Sequence, residues 1–342
     1  MIKENKTVNK TNKISIIGSG AMATAMAKVL YDSGNTNIFI YGIDEKELED
    51  LKIGKNAKYF STDIKLPSFN TTKDLKIALD KTDYIVLAIP SIFIQATFLE
   101  ILKLLNSKVL VISVSKGFYP NSFLSIHEGL SKDSKSNEFV RGVVTVTGPS
   151  FAEEIIKEQL TTICAVDSNI KNAQEVQKLF SNKYFKLYVQ SDVIGAEVGA
   201  SFKNVLAIFS GIANQQGYGI NTLASILSRG LKEMKLYNDK VGGKLSTLLG
   251  LTGVGDLILT ATSPLSRNFS FGKEFVINKS KALETVKTVE GLKALENIYR
   301  SNKKYGLDLP IISSLYELIF ENISLEEFKE KIWNRTLKSE FE

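Results

Sequence analysis

Seven short apolar runs, most of them rich in isoleucine and valine, punctuate the first half of the chain and then stop. They are Lys13–Ile17, Asn37–Tyr41, Tyr84–Ile89, Val109–Val114, Val143–Val146, Thr162–Val166 and Lys186–Val189. Runs of this length that are apolar throughout, rather than alternating, fit strands covered on both faces. Helical stretches such as Ala21–Ser33, Phe93–Leu105 and Ala173–Phe180 lie between them. That alternation predicts an α/β fold with a doubly wound parallel sheet. Beyond about residue 190 only helical periodicity continues, over Val193–Gln216, Asn221–Tyr237, Leu292–Tyr305, Ile311–Phe320 and Leu325–Trp333. The second half therefore reads as an all-α domain.

Composition excludes several classes of chemistry. The 342 residues include one histidine, His127, and one cysteine, Cys164, too few for an internal disulfide or a Cys/His zinc site. No metal site is expected. His127 lies on an amphipathic stretch and reads as a packing or surface residue, and Cys164 sits inside an apolar run and reads as core. An acid–base group would then be Lys, Asp, Glu or Tyr. The net charge of +6 is modest, and its lysines are interleaved with acids, as in Asp44-Glu45-Lys46-Glu47. That pattern argues against a nucleic-acid partner and suits a small anionic ligand. Residues 1–12 are polar and lack the apolar region of a secretory signal, so a disordered tail is expected. Two uncharged runs, Tyr84–Leu99 and Asn204–Ser228, are too short or too interrupted by polar residues and glycines to read as membrane spans. A soluble, cytoplasmic protein is expected.

The first run leads into Gly18-Ser19-Gly20-Ala21-Met22-Ala23, and a helix begins there. This is the G-x-G-x-x-A form of the dinucleotide fingerprint. Gly18 makes the tight turn, Gly20 lets backbone approach a pyrophosphate, and Ala23 lets helix and strand pack closely. Residues 13–191 thus read as a Rossmann-type dinucleotide-binding domain, and 192–342 as a helical substrate-binding domain. Asp44, just past the second run, fits two roles equally: holding ribose hydroxyls, or capping the helix that follows.

Four further segments carry chemistry. Lys116 follows the run Val109–Val114, at the carboxyl end of a strand, where a doubly wound sheet places its ligands. Gly148-Pro149-Ser150 reads as the opening of a helix whose first N–H groups would face an anion or a carboxamide. Lys203 is isolated in an apolar helix, with Glu197 six residues away as an awkward structural partner. Burial lowers a lysine's pKa and fits it for proton exchange near neutral pH. Asp256 stands alone among apolar residues after Gly253-Val-Gly255, and Ser266-Arg267-Asn268 offers a set of donors suited to phosphate. Capping and surface roles are open alternatives for Asp256 and Arg267.

Taken in order, Gly148-Pro-Ser-Phe-Ala152, Phe202-Lys-Asn-Val-Leu206, Ser228-Arg-Gly-Leu231, Gly253-Val-Gly-Asp-Leu257, Ser266-Arg-Asn268 and Val289-Glu-Gly291 resemble bacterial NAD(P)-dependent glycerol-3-phosphate dehydrogenases, over Lys13 to about Trp333. The resemblance implies NAD(P)H as cofactor, dihydroxyacetone phosphate or sn-glycerol 3-phosphate as substrate, and a role in phospholipid biosynthesis. It implies Lys203 as catalytic acid/base, aided by Lys116 and Asp256. Substrate would meet Lys116, Gly148, Ser150, Lys203, Asp256, Ser266, Arg267 and Asn268. Cofactor would meet Gly18, Gly20, Ala21, Met22, Ala23, Lys116, Ala152, Arg267 and Glu290. Two departures bear on the cofactor: Ala21-Met22, where the family often has an aromatic second residue, and Ile43, where many members have a basic or polar one. The preference between NAD and NADP stays open, as does the oligomeric state, a homodimer included. Rival readings are another lysine-dependent two-domain dehydrogenase, such as a ketopantoate reductase, and a non-catalytic dinucleotide sensor.

Overall fold

The computed structural model describes residues 12–120, 122, 124–284, 289–334 and 339. The expected tail therefore lies, up to residue 11, outside the described residues. The chain forms two compact units. The first comprises Met1–Ser115, Ile126–Val146 and Ser150–Ser191; the second comprises Lys116–Ser125, Thr147–Pro149 and Asp192–Glu342. The chain thus passes into the second unit twice before residue 192.

Eight strands make one sheet: β1 (Ile14–Ile17), β2 (Ile38–Tyr41), β3 (Asn70–Thr72), β4 (Tyr84–Leu87), β5 (Val109–Ser113), β6 (Val140–Thr147), β7 (Thr161–Val166) and β8 (Phe185–Gln190). Their order is β3-β2-β1-β4-β5-β6-β7-β8. The pairings β1–β2, β1–β4, β2–β3, β4–β5, β5–β6 and β7–β8 are parallel, with Ile14 opposite both Ile38 and Tyr84. Successive strands run outward from β1 on one side and from β4 on the other. The switch point of the winding therefore lies between β1 and β4, where ligands of such sheets bind.

Central strands β1, β4 and β5 are buried along their whole length. Ser15, the polar residue of β1, donates to Ala78 O at 2.6 Å, so its burial leaves no hydroxyl unsatisfied. Edge strand β8 alternates buried Phe185 and Leu187 with exposed Lys186 and Tyr188, as a strand with one open face should. Sequence reasoning missed β3. Its residues, Asn-Thr-Thr, have no apolar signal, and it pairs only with β2 at the sheet edge.

His127 is buried on the helix Ile126–Ser134, with Nδ1 3.2 Å from Thr145 Oγ1. Burial holds its pKa below the usual histidine value. Cys164 is buried in β7, and burial pushes its thiol up to about 11.

The second unit is helical and organised on Val193–Gln215. The side chains of Phe202, Val205, Leu206 and Ile208 on that helix are buried in one apolar core with Met234, Leu257, Phe271, Leu295 and Leu315. The helix is long and apolar enough to cross a membrane, as is the stretch Leu245–Thr262, but 72% of the apolar window of the first and 44% of that of the second are buried within the protein. A turn of π-helix, Leu251–Gly255, leads into the helix Asp256–Thr262. It lies tight against Gly199 of the long helix: a Cβ there would stand 2.3 Å from Thr252 O.

Gly199→Ala must therefore push the π-turn away. The expected cost is about 1–3 kcal/mol of stability, read as a lower urea midpoint with an unchanged denaturant slope.

Candidate active site

Each unit carries one group of candidate functional residues. In the first, the turn from β1 into the helix Ala21–Asp32 carries the fingerprint. Gly18 has φ +121°, and a Cβ there would come within 2.5 Å of Ala88 O, so only glycine fits. Gly20 is the N-cap, and no side chain caps the helix, which leaves its first N–H groups for an anion. A Cβ at Gly20 would meet nothing nearer than Tyr59 Oη at 3.7 Å, so the space over the helix end is open. Ala23 is fully buried against the sheet, while Ala21 and Met22 are partly buried at the rim. The cradle fits the pyrophosphate of a dinucleotide.

In the second unit, Lys203 is 1% exposed at the middle of the long helix and donates to Asp256 Oδ2, itself 1% exposed. Lys116 Nζ lies 3.9 Å from the same oxygen. Asp256 Oδ1 accepts from Thr260 Oγ1 at 3.3 Å, one turn along the same helix. Two ammonium groups thus share one carboxylate, which leaves an excess positive charge in a largely dry place. Burial, with Lys116 adding to it, lowers the Lys203 pKa to about 8 against the opposing pull of Asp256. The sequence pairing of Lys203 with Glu197 gives way to Asp256, 53 residues away.

The remaining calls divide. Ser266 caps the helix Arg267–Ile277, its Oγ accepting from Phe269 N at 3.3 Å. Arg267 is mostly exposed and donates from Nη2 to Glu290 Oε1 at 2.9 Å. Asn268 is buried: Nδ2 donates to Asn204 Oδ1 at 3.0 Å, and Oδ1 accepts from Gly291 N at 2.9 Å. One amide hydrogen of Asn268 is left over for another acceptor. Gly148 has φ +142°, and Pro149 Cγ lies 3.9 Å from where a Cβ on Gly255 would be. Gly148 and the π-turn thus belong to one locality of the second unit. Ser150 and Ala152 belong to the first unit. The helix read as opening at Gly148-Pro149-Ser150 begins at Ala152 and runs only to Ile156, with Phe151 as N-cap. The Phe151 backbone is extended, so Pro149 and Ser150 precede the helix rather than start it.

Asp44 is indeed an N-cap, accepting from Glu47 N at 3.2 Å, and its other oxygen pairs with Lys58 at 2.9 Å. Sequence reasoning left out Thr260 and Asn204, whose signals were a hydroxyl four residues after Asp256 and an amide beside Lys203. It also left out Glu47, Lys58 and Tyr59, whose convergence on the fingerprint turn has no local sequence sign.

Known proteins resemble both parts of the chain. Residues 13–173 match the family model described as NAD-dependent glycerol-3-phosphate dehydrogenase N-terminus, and residues 192–330 match the corresponding C-terminus. The chain belongs to the NAD-dependent glycerol-3-phosphate dehydrogenase family. It is 38% identical over 333 residues to glycerol-3-phosphate dehydrogenase (NAD(P)+) of Onion yellows phytoplasma, covering 96% of this chain and 100% of that one. The Acholeplasma laidlawii protein of the same name is also 38% identical, over 96% and 99% of the two chains. The crystal structure of glycerol-3-phosphate dehydrogenase from Coxiella burnetii superposes with a TM-score of 0.85 at 26% identity, over 95% of this chain and 99% of that one. A ketopantoate reductase from Ralstonia eutropha shares the fold at a TM-score of 0.58 and 14% identity, over 93% and 99%.

Asp256→Asn leaves Lys203 buried without its counter-ion. A loss of about 3 kcal/mol is expected near pH 6, the lower end for breaking a buried pair. The variant lysine has a pKa below the wild-type value of about 8 and sheds its charge earlier. The stability deficit should therefore narrow as pH rises toward 8, as read by urea denaturation at several pH values.

Proposed function

We propose that this chain catalyses reversible hydride transfer between NAD(P)H and C2 of dihydroxyacetone phosphate, giving sn-glycerol 3-phosphate for phospholipid biosynthesis. The observation that carries the reading is the buried Lys203–Asp256 pair with Lys116 beside it. A bare buried lysine is costly, and its depressed pKa is the property a proton donor at neutral pH needs. Family membership supplies the substrate and cofactor class.

Bound NAD(P)H supplies the hydride. Gly18, Gly20, Ala21 and Met22 would hold its pyrophosphate at the start of the helix Ala21–Asp32, with Ala23 seating that helix on the sheet. Ala152, Arg267 and Glu290 are the further cofactor positions, together with Lys116. As C2 is reduced, negative charge gathers on its oxygen. Lys203 gives that oxygen a proton from Nζ, and Lys116 stabilises the charge before transfer. Asp256 aims Lys203 and keeps it charged until transfer, with Thr260 fixing the carboxylate. Arg267, Asn268 and Ser266 take the substrate phosphate, with Gly148 and Ser150 as further contacts. Binding the phosphate away from C2 orients the reacting carbon. Arg267 is pre-aligned by Glu290, and Asn268 by Asn204 and Gly291, so neither must be ordered when substrate arrives. The reading extends to a soluble cytoplasmic enzyme without a nucleic-acid partner, and it accommodates a homodimer.

Purified protein with dihydroxyacetone phosphate should oxidise NADH or NADPH, followed at 340 nm, whereas turnover of ketopantoate alone would overturn the substrate assignment. Lys203→Ala should lower kcat by about 10²–10⁴-fold, the range for a lost general acid. Cofactor affinity, measured by equilibrium titration, should stay close to wild type, and unchanged turnover would remove Lys203 from the mechanism.

The pH dependence has a definite sign. Reduction needs protonated Lys203, so kcat/KM for dihydroxyacetone phosphate should be level below about 8 and fall above it. The fall should approach about tenfold per pH unit. Oxidation of glycerol 3-phosphate needs the neutral amine and should show the mirror-image rise.

A further inference from the structure

Beside the fingerprint turn lies a cluster of charges that the proton-transfer chemistry does not use. Glu47 is 5% exposed, on the helix Glu45–Lys52 that follows β2. Its Oε2 accepts from Ser19 Oγ, the residue between the two fingerprint glycines. Its Oε1 accepts from Lys58 Nζ at 2.6 Å and from Tyr59 Oη at 2.9 Å. Lys58 also donates to Asp44 Oδ2 at 2.9 Å. The contact with Ser19 is close because the strand end carries Gly42, where a Cβ would stand 2.6 Å from Ser19 Oγ. Asn56 completes the tie, donating to Ser19 O at 2.9 Å and to Thr24 Oγ1 at 2.8 Å.

The end of β2 and the fingerprint turn are the two elements that receive the adenosine ribose in a doubly wound fold. There an acid binds a free ribose 2′-hydroxyl, and a free cation binds a 2′-phosphate. Lys58, tied through Glu47 to Ser19 of the turn, already serves two carboxylates, which hold its pKa above the ordinary lysine value. A shallow cavity of about 190 Å³ on this helix is lined by Asp44, Glu47 and Asp50 against Lys46 and Lys58, a net negative set. Position 43, next to Asp44, is an exposed isoleucine and offers no charge.

We propose that Asp44 and Glu47 are specificity-determining residues that keep Lys58 engaged and make the chain select NAD(H) over NADP(H). The proposal rests on the dinucleotide reading above and deepens it. A 2′-phosphate brings negative charge toward two carboxylates and finds Lys58 already paired, whereas a ribose diol needs only acceptors of the kind present.

The test is equilibrium titration of the full chain with NADH and NADPH separately, alongside kcat/KM for each with dihydroxyacetone phosphate. Wild-type protein should bind NADH about tenfold more tightly or better, a modest effect for like charges brought together. Asp44→Asn keeps the helix cap, since Asn caps as well as Asp, but frees Lys58 from one partner. It should move the NADPH:NADH affinity ratio toward NADPH by about fivefold, the scale of an exposed charge pair. Glu47→Gln, which keeps hydrogen bonds to Ser19 and Tyr59, should move it the same way. Adding Lys58→Met to D44N should abolish the gain; a merely structural effect of D44N would not be reversed by removing the lysine. Equal or tighter binding of NADPH by wild type, or a ratio unmoved in both D44N and E47Q, would overturn the proposal. Binding of neither dinucleotide would overturn the cofactor reading itself and the proposal with it. Binding with the expected preference but no turnover of dihydroxyacetone phosphate would count against the substrate reading while upholding the selectivity.

Discussion

A lysine ammonium buried to 1% exposure in an apolar helix dictates much of what surrounds it. Such a charge is tolerated only with a partner, and the nearest acid on its own helix, Glu197, is not the partner used. Asp256 arrives from another segment, carried on a helix that starts directly after a π-turn. The π-turn brings its backbone against the long helix, which only a glycine at 199 allows. Thr260 then holds the free carboxylate oxygen and Lys116 adds a second cation. Closely packed backbone, a satisfied carboxylate and an unbalanced positive charge all follow from placing one amine in a dry core.

The same logic explains which residues were legible in advance. Lys203 and Asp256 each stood out because a charge interrupted an apolar stretch, and that signal survives without knowing the partner. The central strands β1, β4 and β5 were equally legible, since burial on both faces demands uninterrupted apolar runs. Strand β3 was not, because three polar residues at a sheet edge need only backbone pairing. The mutual contact of Asn204, Asn268 and Gly291 was invisible for another reason. It joins three distant segments through amides, whose local sequence context is unremarkable. Asp44 was legible as one of two alternatives, and the cap proved real while its second oxygen found Lys58.

The two functional groups manage charge in opposite ways. Around Lys203 the cations outnumber the carboxylate, which suits an anionic substrate and an oxyanion. Around Ser19 the carboxylates outnumber the cations, although the uncapped helix end proposed for a dinucleotide phosphate begins at the next residue. There the positive end of an uncapped helix and its backbone N–H groups offer an anion the attraction that lysines would otherwise supply. Backbone donors attract phosphate without supplying a mobile cation to a second, neighbouring phosphate.

Lys116 and Gly148 have a consequence for how such a protein could be divided. Both lie in short stretches that belong to the helical unit although the chain on either side of them belongs to the sheet unit. A cut after Ser191 would look like a clean separation in sequence. It would sever Asp256 from the second lysine that stands 3.9 Å away. The halves are therefore modules in architecture but not in inheritance. A helical unit transplanted from a relative would meet a host-encoded lysine, so recombination between members of this fold is constrained at those two loops as well as at the helix that carries Lys203.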